Sequence, residues 1–301
     1  MDLGSAASRA WWLAKGPGRA ARRRSQNVDY LAEWAEFEVK LVTRTPVIIY
    51  SMGKSGTTSL TVALREAGFP VVKVHSLTKA ATAERIWAHE RSFSPARPRV
   101  YWRYDYLRRD LRARPWVRRR MISVMREPVA RMISAYFYDL DPARYGDPLD
   151  AHGAGVQELI ELEIERDWFA TELEAVTGID VYGAPFEREA GAQHLEHGRF
   201  DVLLLRQEDL RAESTPTVLA GFLGAPRPID IPRRNAGEDS SYADLQRRFV
   251  SDWVFPAPLL ERAYATRPAQ HFYSDDERAR FLARWSSPRT PAADAGREPS
   301  R

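Results

Sequence analysis

The residues best suited to chemistry stand together in one short segment, Ser51-Met-Gly-Lys-Ser-Gly-Thr-Thr58. Gly53 and Gly56 allow a tight turn and a close backbone approach to a ligand. Lys54 adds a mobile positive charge, and Ser55, Thr57 and Thr58 add hydroxyl donors. The apolar run Val47-Ile-Ile-Tyr50 before the turn reads as a strand, and Thr57 to Ala67 after it reads as a helix. In that arrangement the N–H groups of the turn and the positive end of the helix dipole converge. The segment is therefore expected to cradle a phosphate.

A second cluster follows, Ile122-Ser-Val-Met-Arg126-Glu-Pro128-Val-Ala-Arg131-Met-Ile-Ser134-Ala-Tyr-Phe137. A strand ends at Arg126, and Pro128 sits where a first-turn proline opens a helix. Ser134 then lies two turns into that helix. A guanidinium and a hydroxyl so placed can close on one phosphate. The triphosphate-binding pattern Gly-x4-Gly-Lys-Ser/Thr does not fit the first segment, because its first glycine would have to stand where Ile48 stands. The run Val202 to Leu205 also ends in Arg206, where an acid would be needed to hold Mg²⁺.

The elements that must position these residues alternate. Strands are expected at Val47 to Tyr50, Val71 to Val74, Val100 to Arg103, Arg120 to Met125 and Val202 to Leu205. Helices are expected at Asn27 to Leu41, Thr57 to Ala67, Thr82 to Arg91 and Pro128 to Tyr138. Further helices are read at Gly155 to Thr177 in two pieces, Thr217 to Leu223, Tyr242 to Val250, Pro258 to Tyr264 and Asp275 to Trp285. Such alternation predicts an α/β fold, a three-layer sandwich whose mostly parallel central sheet has helices on both faces. Ligands of such sheets bind beyond the carboxyl ends of the strands, where Lys54, His75 and Arg126 fall. The expected organisation is a basic arm and leading helix over 1–44, one domain over 45–286 and a disordered tail over 287–301.

Composition narrows the function. The chain of 301 residues has no cysteine, which excludes a disulfide framework, a thiolate metal site and a cysteine nucleophile. Its six histidines are scattered without metal-ligand spacing, so no metal is expected. The net charge of +4 resides in the first 30 residues, where Arg9, Lys15, Arg19, Arg22, Arg23 and Arg24 face only Asp2 and Asp29. A neutral body argues against nucleic acid as a partner. Within that body, Arg99 to Arg131 holds eleven arginines against Asp105, Asp110 and Glu127. With no transmembrane run and no signal peptide, a cytoplasmic protein is expected. Trp11, Trp12 and the arginines after them could rest weakly on an anionic inner-membrane surface, the other reading being a disordered arm.

The first segment resembles the 5′-phosphosulfate loop of sulfotransferases that use PAPS (3′-phosphoadenosine-5′-phosphosulfate), and the second resembles their 3′-phosphate element. Within that superfamily of P-loop-like fold, the chain is similar to bacterial capsular-polysaccharide sulfotransferase-like proteins. The similarity is carried also by Val72 to Leu77, Asp201 to Leu210 and His271 to Glu277. The later Asn-Lys-Tyr pattern is incomplete: Asn235 and Tyr242 are present, but Asp239 and Ser240 stand where a lysine is expected.

The resemblance implies transfer of a sulfuryl group from PAPS to a hydroxyl of a polysaccharide or glycolipid, with PAP as product and no metal. It gives Lys54, Ser55, Gly56, Thr57 and Thr58 to the phosphosulfate, and Arg126 and Ser134 to the 3′-phosphate. Arg233 and Arg234, in a basic loop with Gly237, would cover the same phosphate. Lys54 would also stabilise the leaving oxygen. The acceptor proton needs a base, for which His75 is the first candidate, with Asp105 and His89 next in order; the other reading of His75 is a structural histidine bonding a neighbouring loop. The competing readings are a nucleotide-dependent kinase or NTPase and a non-catalytic PAP-binding relative.

Overall fold

The computed structural model describes residues 45–78, 107–232 and 240–287. In chain order the elements are β1 (Val47–Tyr50), α1 (Thr57–Glu66), β2 (Val71–Val74), α2 (107–113), β3 (Arg119–Met125), α3 (Pro128–Asp139) and α4 (Leu149–Ile164). A π-helical segment Phe169–Glu174 then runs into a last α-turn, Ala175–Thr177. It is followed by β4 (Ala192–His197), β5 (Phe200–Arg206), α5 (Thr215–Leu223), α6 (Ala243–Asp252), α7 (Ala257–Tyr264), α8 (Arg267–Phe272) and α9 (Asp275–Ser286). These elements fall into two compact units, one holding residues 45–78, 107–126 and 168–232, the other 127–167 and 240–287.

The first unit is built on a five-stranded sheet of order β2-β1-β3-β5-β4. All neighbours pair parallel except β4, which runs antiparallel to β5. The parallel strands are short apolar runs because both faces are covered. Val47, Ile49, Ile122, Val124, Leu203 and Leu205 point to one face and meet Leu60, Ala63 and Leu64 of α1 and Leu219, Ala220 and Leu223 of α5. Tyr50 points to the other face, where its ring meets Trp168 edge-on at 4.9 Å and its hydroxyl bonds Glu172. Helical layers on both sides make the expected three-layer α/β sandwich.

β4 is not among the strands expected from the sequence. Its residues Ala-Gln-His-Leu-Glu-His are polar at every other position or worse, so no buried run announces them. They form a strand because β5 offers an open edge across the tight turn at Gly198. The expected strand at Val100 to Arg103, the helices at Asn27 to Leu41 and Thr82 to Arg91, the arm and the tail lie outside the described residues. The helix read from Gly155 begins earlier, at Leu149, and α8 was not foreseen.

The second unit is helical, its core running from Val129, Ile133 and Phe137 of α3 through Val156 and Ile160 of α4 to Phe249, Leu260, Tyr264 and Trp285. Its buried polar pivot is Glu127. The carboxylate caps α3 by accepting from Val129 and Ala130 N–H, at 2.8 and 2.7 Å. It also accepts from the Tyr264 hydroxyl at 2.6 Å and the Trp285 indole at 3.3 Å. The Arg-Glu-Pro signature thus has a local reason at its centre, since glutamate and proline start a helix. Gly153 and Gly155 of α4 are sterically required: a Cβ would lie 1.9 Å from the Trp253 ring and 2.4 Å from that of Tyr136, respectively.

Candidate functional site

The strand order reverses beside β1, which pairs with β2 on one side and β3 on the other. A crevice at such a switch point, beyond the carboxyl ends, is where open α/β sheets bind ligands. The segment after β1 is the Ser51–Thr58 loop, and Arg126 follows β3. The two meet: Arg126 Nη1 donates to the Lys54 carbonyl at 2.8 Å. His75, the residue after β2, bonds through Nδ1 to the Ser51 carbonyl at 2.6 Å. One loop therefore holds Lys54 and collects Arg126 and His75 from distant parts of the chain.

The loop's conformation is built in. Ser51 donates its hydroxyl to the Val124 carbonyl at 2.8 Å and accepts from the Val124 N–H at 3.1 Å, which pins the loop to β3. The Ser55 hydroxyl lies 2.9 Å from Ser51 Oγ and donates to the Met52 carbonyl at 2.8 Å. Ser55 is fully buried, and its hydroxyl serves the loop. Gly56 adopts φ 80° ahead of α1, and a Cβ there would come within 3.0 Å of Gln207 and Leu210. The second left-handed residue is Lys54, at φ 68°, while Gly53 has open space around it. Lys54 is the only non-glycine residue with positive φ among the described residues, and such strain collects at functional positions.

Thr57 is buried in the first turn of α1, whereas Thr58 is exposed and accepts from Lys73 Nζ at 3.4 Å. Lys73 went unnoticed in the sequence. Its signal was its position as the one charged residue within the apolar strand β2. Also unforeseen was the support of the segment that follows His75. The indole of Trp168 donates to the His75 carbonyl at 3.1 Å. Glu172, in the π-helical segment, accepts from the Ser76 hydroxyl and the Leu77 and Thr78 N–H groups at 3.0, 2.9 and 3.3 Å. It accepts as well from the hydroxyls of Thr78 and Tyr50. Irregular π turns of this kind recur beside functional sites.

The tautomer of His75 follows from its partner. A carbonyl oxygen can only accept, so Nδ1 carries the hydrogen and the neutral ring keeps its lone pair on Nε2.

Ser134 lies on α3 in the second unit, and Arg126 in the first. Arg233, Arg234, Gly237, Asn235, Asp239, His89 and Asp105 lie outside the described residues. Glu208 and Asp209 sit in a turn after β5, where Asp209 pairs with Arg206. One group with metal-ligand spacing exists among the described residues, His194, Glu196 and Asp201. It stands at the start of β5, the end of the sheet away from the loop. Its carboxylates already face arginines, Arg118 at 2.7 Å from Glu196 and Arg120 at 3.9 Å from Asp201.

Fold and loop define an α/β protein with a cationic loop at its sheet's switch point. Residues 155–274 match the NKWYS family, described as "Putative capsular polysaccharide synthesis protein". The matched stretch covers less than half of the chain and includes Trp168, Glu172 and β5, but not the loop, His75, Arg126 or Ser134. It supports a relation to capsular polysaccharide synthesis. No curated protein and no solved structure matches the chain. Among the described residues, no helix is long and apolar enough to cross a membrane.

Proposed function

We propose that the protein transfers a sulfuryl group from PAPS to a hydroxyl of a carbohydrate acceptor, a polysaccharide or glycolipid, on a P-loop-like fold. The observation that carries this reading is the gathering of Lys54, Arg126 and His75 on one loop at the switch point. The backbone N–H groups of Ser55, Gly56, Thr57 and Thr58 would receive the 5′-phosphosulfate at the head of α1. Arg126 would bind the 3′-phosphate. The capsule-synthesis relation favours a carbohydrate acceptor.

In the reaction, the acceptor oxygen forms a bond to sulfur as the bond between sulfur and the 5′-phosphate oxygen breaks. The electron pair leaves with PAP, and Lys54 offsets the charge that develops on its oxygen. The acceptor proton passes to Nε2 of His75, the nitrogen left basic by the Nδ1 bond to Ser51.

Thermal unfolding with PAP and with ATP–Mg²⁺ tests the donor class. PAP alone should stabilise the protein, with EDTA without effect. A shift with ATP–Mg²⁺ and none with PAP would move the protein to the kinase class. Arg126→Ala should weaken PAP by about tenfold to a hundredfold, and adenosine 5′-phosphosulfate, which lacks the 3′-phosphate, far less. With labelled PAPS and polysaccharide acceptors, His75→Ala should keep PAP affinity and lose roughly 10²–10⁴ in transfer rate.

A further inference from the structure

The arginine-rich stretch before β3 builds a surface that donor binding does not use. It lies at the amino end of β3, whereas Arg126 and the loop lie at the carboxyl end. Between α2 and β3 the chain makes a tight turn, closed by the Val117 N–H on the Arg114 carbonyl at 3.2 Å. Pro115 occupies the position where proline favours such a turn, which leaves Trp116 at its tip. Trp116 is 76% exposed.

The turn is braced. The guanidinium of Arg199 donates to the carbonyls of Arg114 and Leu111. Asp110 sits buried between Arg114 and Arg119. It is the only acid in residues 107–120, against seven arginines, and it presents no charge at the surface. Arg109, Arg112, Arg118 and Arg120, close to Trp116 in sequence, are exposed. Of these, Arg118 pairs with Glu196 and Asp201, and Arg120 with Asp201. The result is a projecting tryptophan on a fixed turn, in a stretch where arginines outnumber acids.

We infer that this turn docks on an anionic lipid surface. The indole would enter the headgroup layer, where an apolar ring with one N–H donor is favoured. The arginines would lay their stems along the interface and pair with lipid phosphates. A sugar chain would be gripped better by a concave face or by several aromatic platforms. A single ring on a projecting tip suits a planar partner.

The test is sedimentation of the full-length protein with vesicles of phosphatidylcholine mixed with phosphatidylglycerol, beside vesicles of phosphatidylcholine alone. The protein should bind the mixed vesicles, less so as salt rises, and ignore the neutral ones. Trp116→Ala should weaken that binding by roughly threefold or more. Arg112→Glu should weaken it by about fivefold or more. Unchanged thermal unfolding of both variants would show the fold intact, as expected of exposed positions. The proposal is overturned if the wild type ignores anionic vesicles, or if both variants bind them as it does. It is equally overturned if the variants lose dextran sulfate but keep the vesicles, which would make the surface a polysaccharide site.

Discussion

Replacing Glu172 tests how the loop region is held. Its carboxylate satisfies five donors that belong to β1 and to the segment after β2. Tyr50, Ser76 and Leu77 are 0%, 1% and 2% exposed, so water cannot replace the missing partner. Hydrogen bonds to a charged group are each worth about 1.5–3 kcal/mol, and a buried donor left unmade costs about 1–3 kcal/mol. Removing the carboxylate also relieves its own burial, so the terms do not simply add. Glu172→Ala is expected to cost about 3–5 kcal/mol, in the range for breaking a buried charged network. Glu172→Gln can keep its carbonyl oxygen toward Tyr50, Leu77 and Thr78, while the Ser76 and Thr78 hydroxyls rotate to accept from the amide. That variant should cost only about 1–2 kcal/mol. Urea unfolding followed by circular dichroism measures both as shifts of the midpoint. An alanine variant within ~1 kcal/mol of the wild type would refute the reasoning.

Three further outcomes are expected. Lys54→Gly should leave stability unchanged or raise it by up to ~1 kcal/mol, by relieving the left-handed backbone, while weakening PAP binding. Gly56→Ala should instead lower stability by about 1–2 kcal/mol, and thermal unfolding compares the two. Gly153→Ala should destabilise by about 1–3 kcal/mol through its clash with Trp253, read from the denaturant midpoint. Burial first, and Glu127 beside it second, push the Tyr264 hydroxyl far above its ordinary value of 10.0. The unfolded chain then releases this proton at lower pH than the folded one, so stability is full below about pH 10 and falls above it. The fall should approach ~1.4 kcal/mol per pH unit and be reduced in Tyr264→Phe, as measured by unfolding across alkaline pH.

The sequence alone determined whatever is encoded by neighbours along the chain. The runs Val47 to Tyr50, Val71 to Val74, Arg120 to Met125 and Val202 to Leu205 are largely apolar because strands covered on both faces need no alternation, and their alternation with helices marks them as a parallel sheet. The turn at 51–58 and the start of a helix at Pro128 are likewise written in local residue types. From these the α/β class, the switch-point loop and the positions of Lys54, His75 and Arg126 could be read.

Only the tertiary structure decided what each of those residues touches. β4 carries no apolar run and exists because β5 has an edge to fill. Glu172 reads as one more acid on a helix, until folding places it against donors as far back as Tyr50. Lys54, not Gly53, takes the left-handed backbone, in a loop where Ser51 is tied to Val124 and Arg126 bonds the Lys54 carbonyl. Local pattern reflects which face of an element is buried. Hydrogen bonds between segments far apart in sequence depend on how the sheet is ordered, and no window along the chain contains that order.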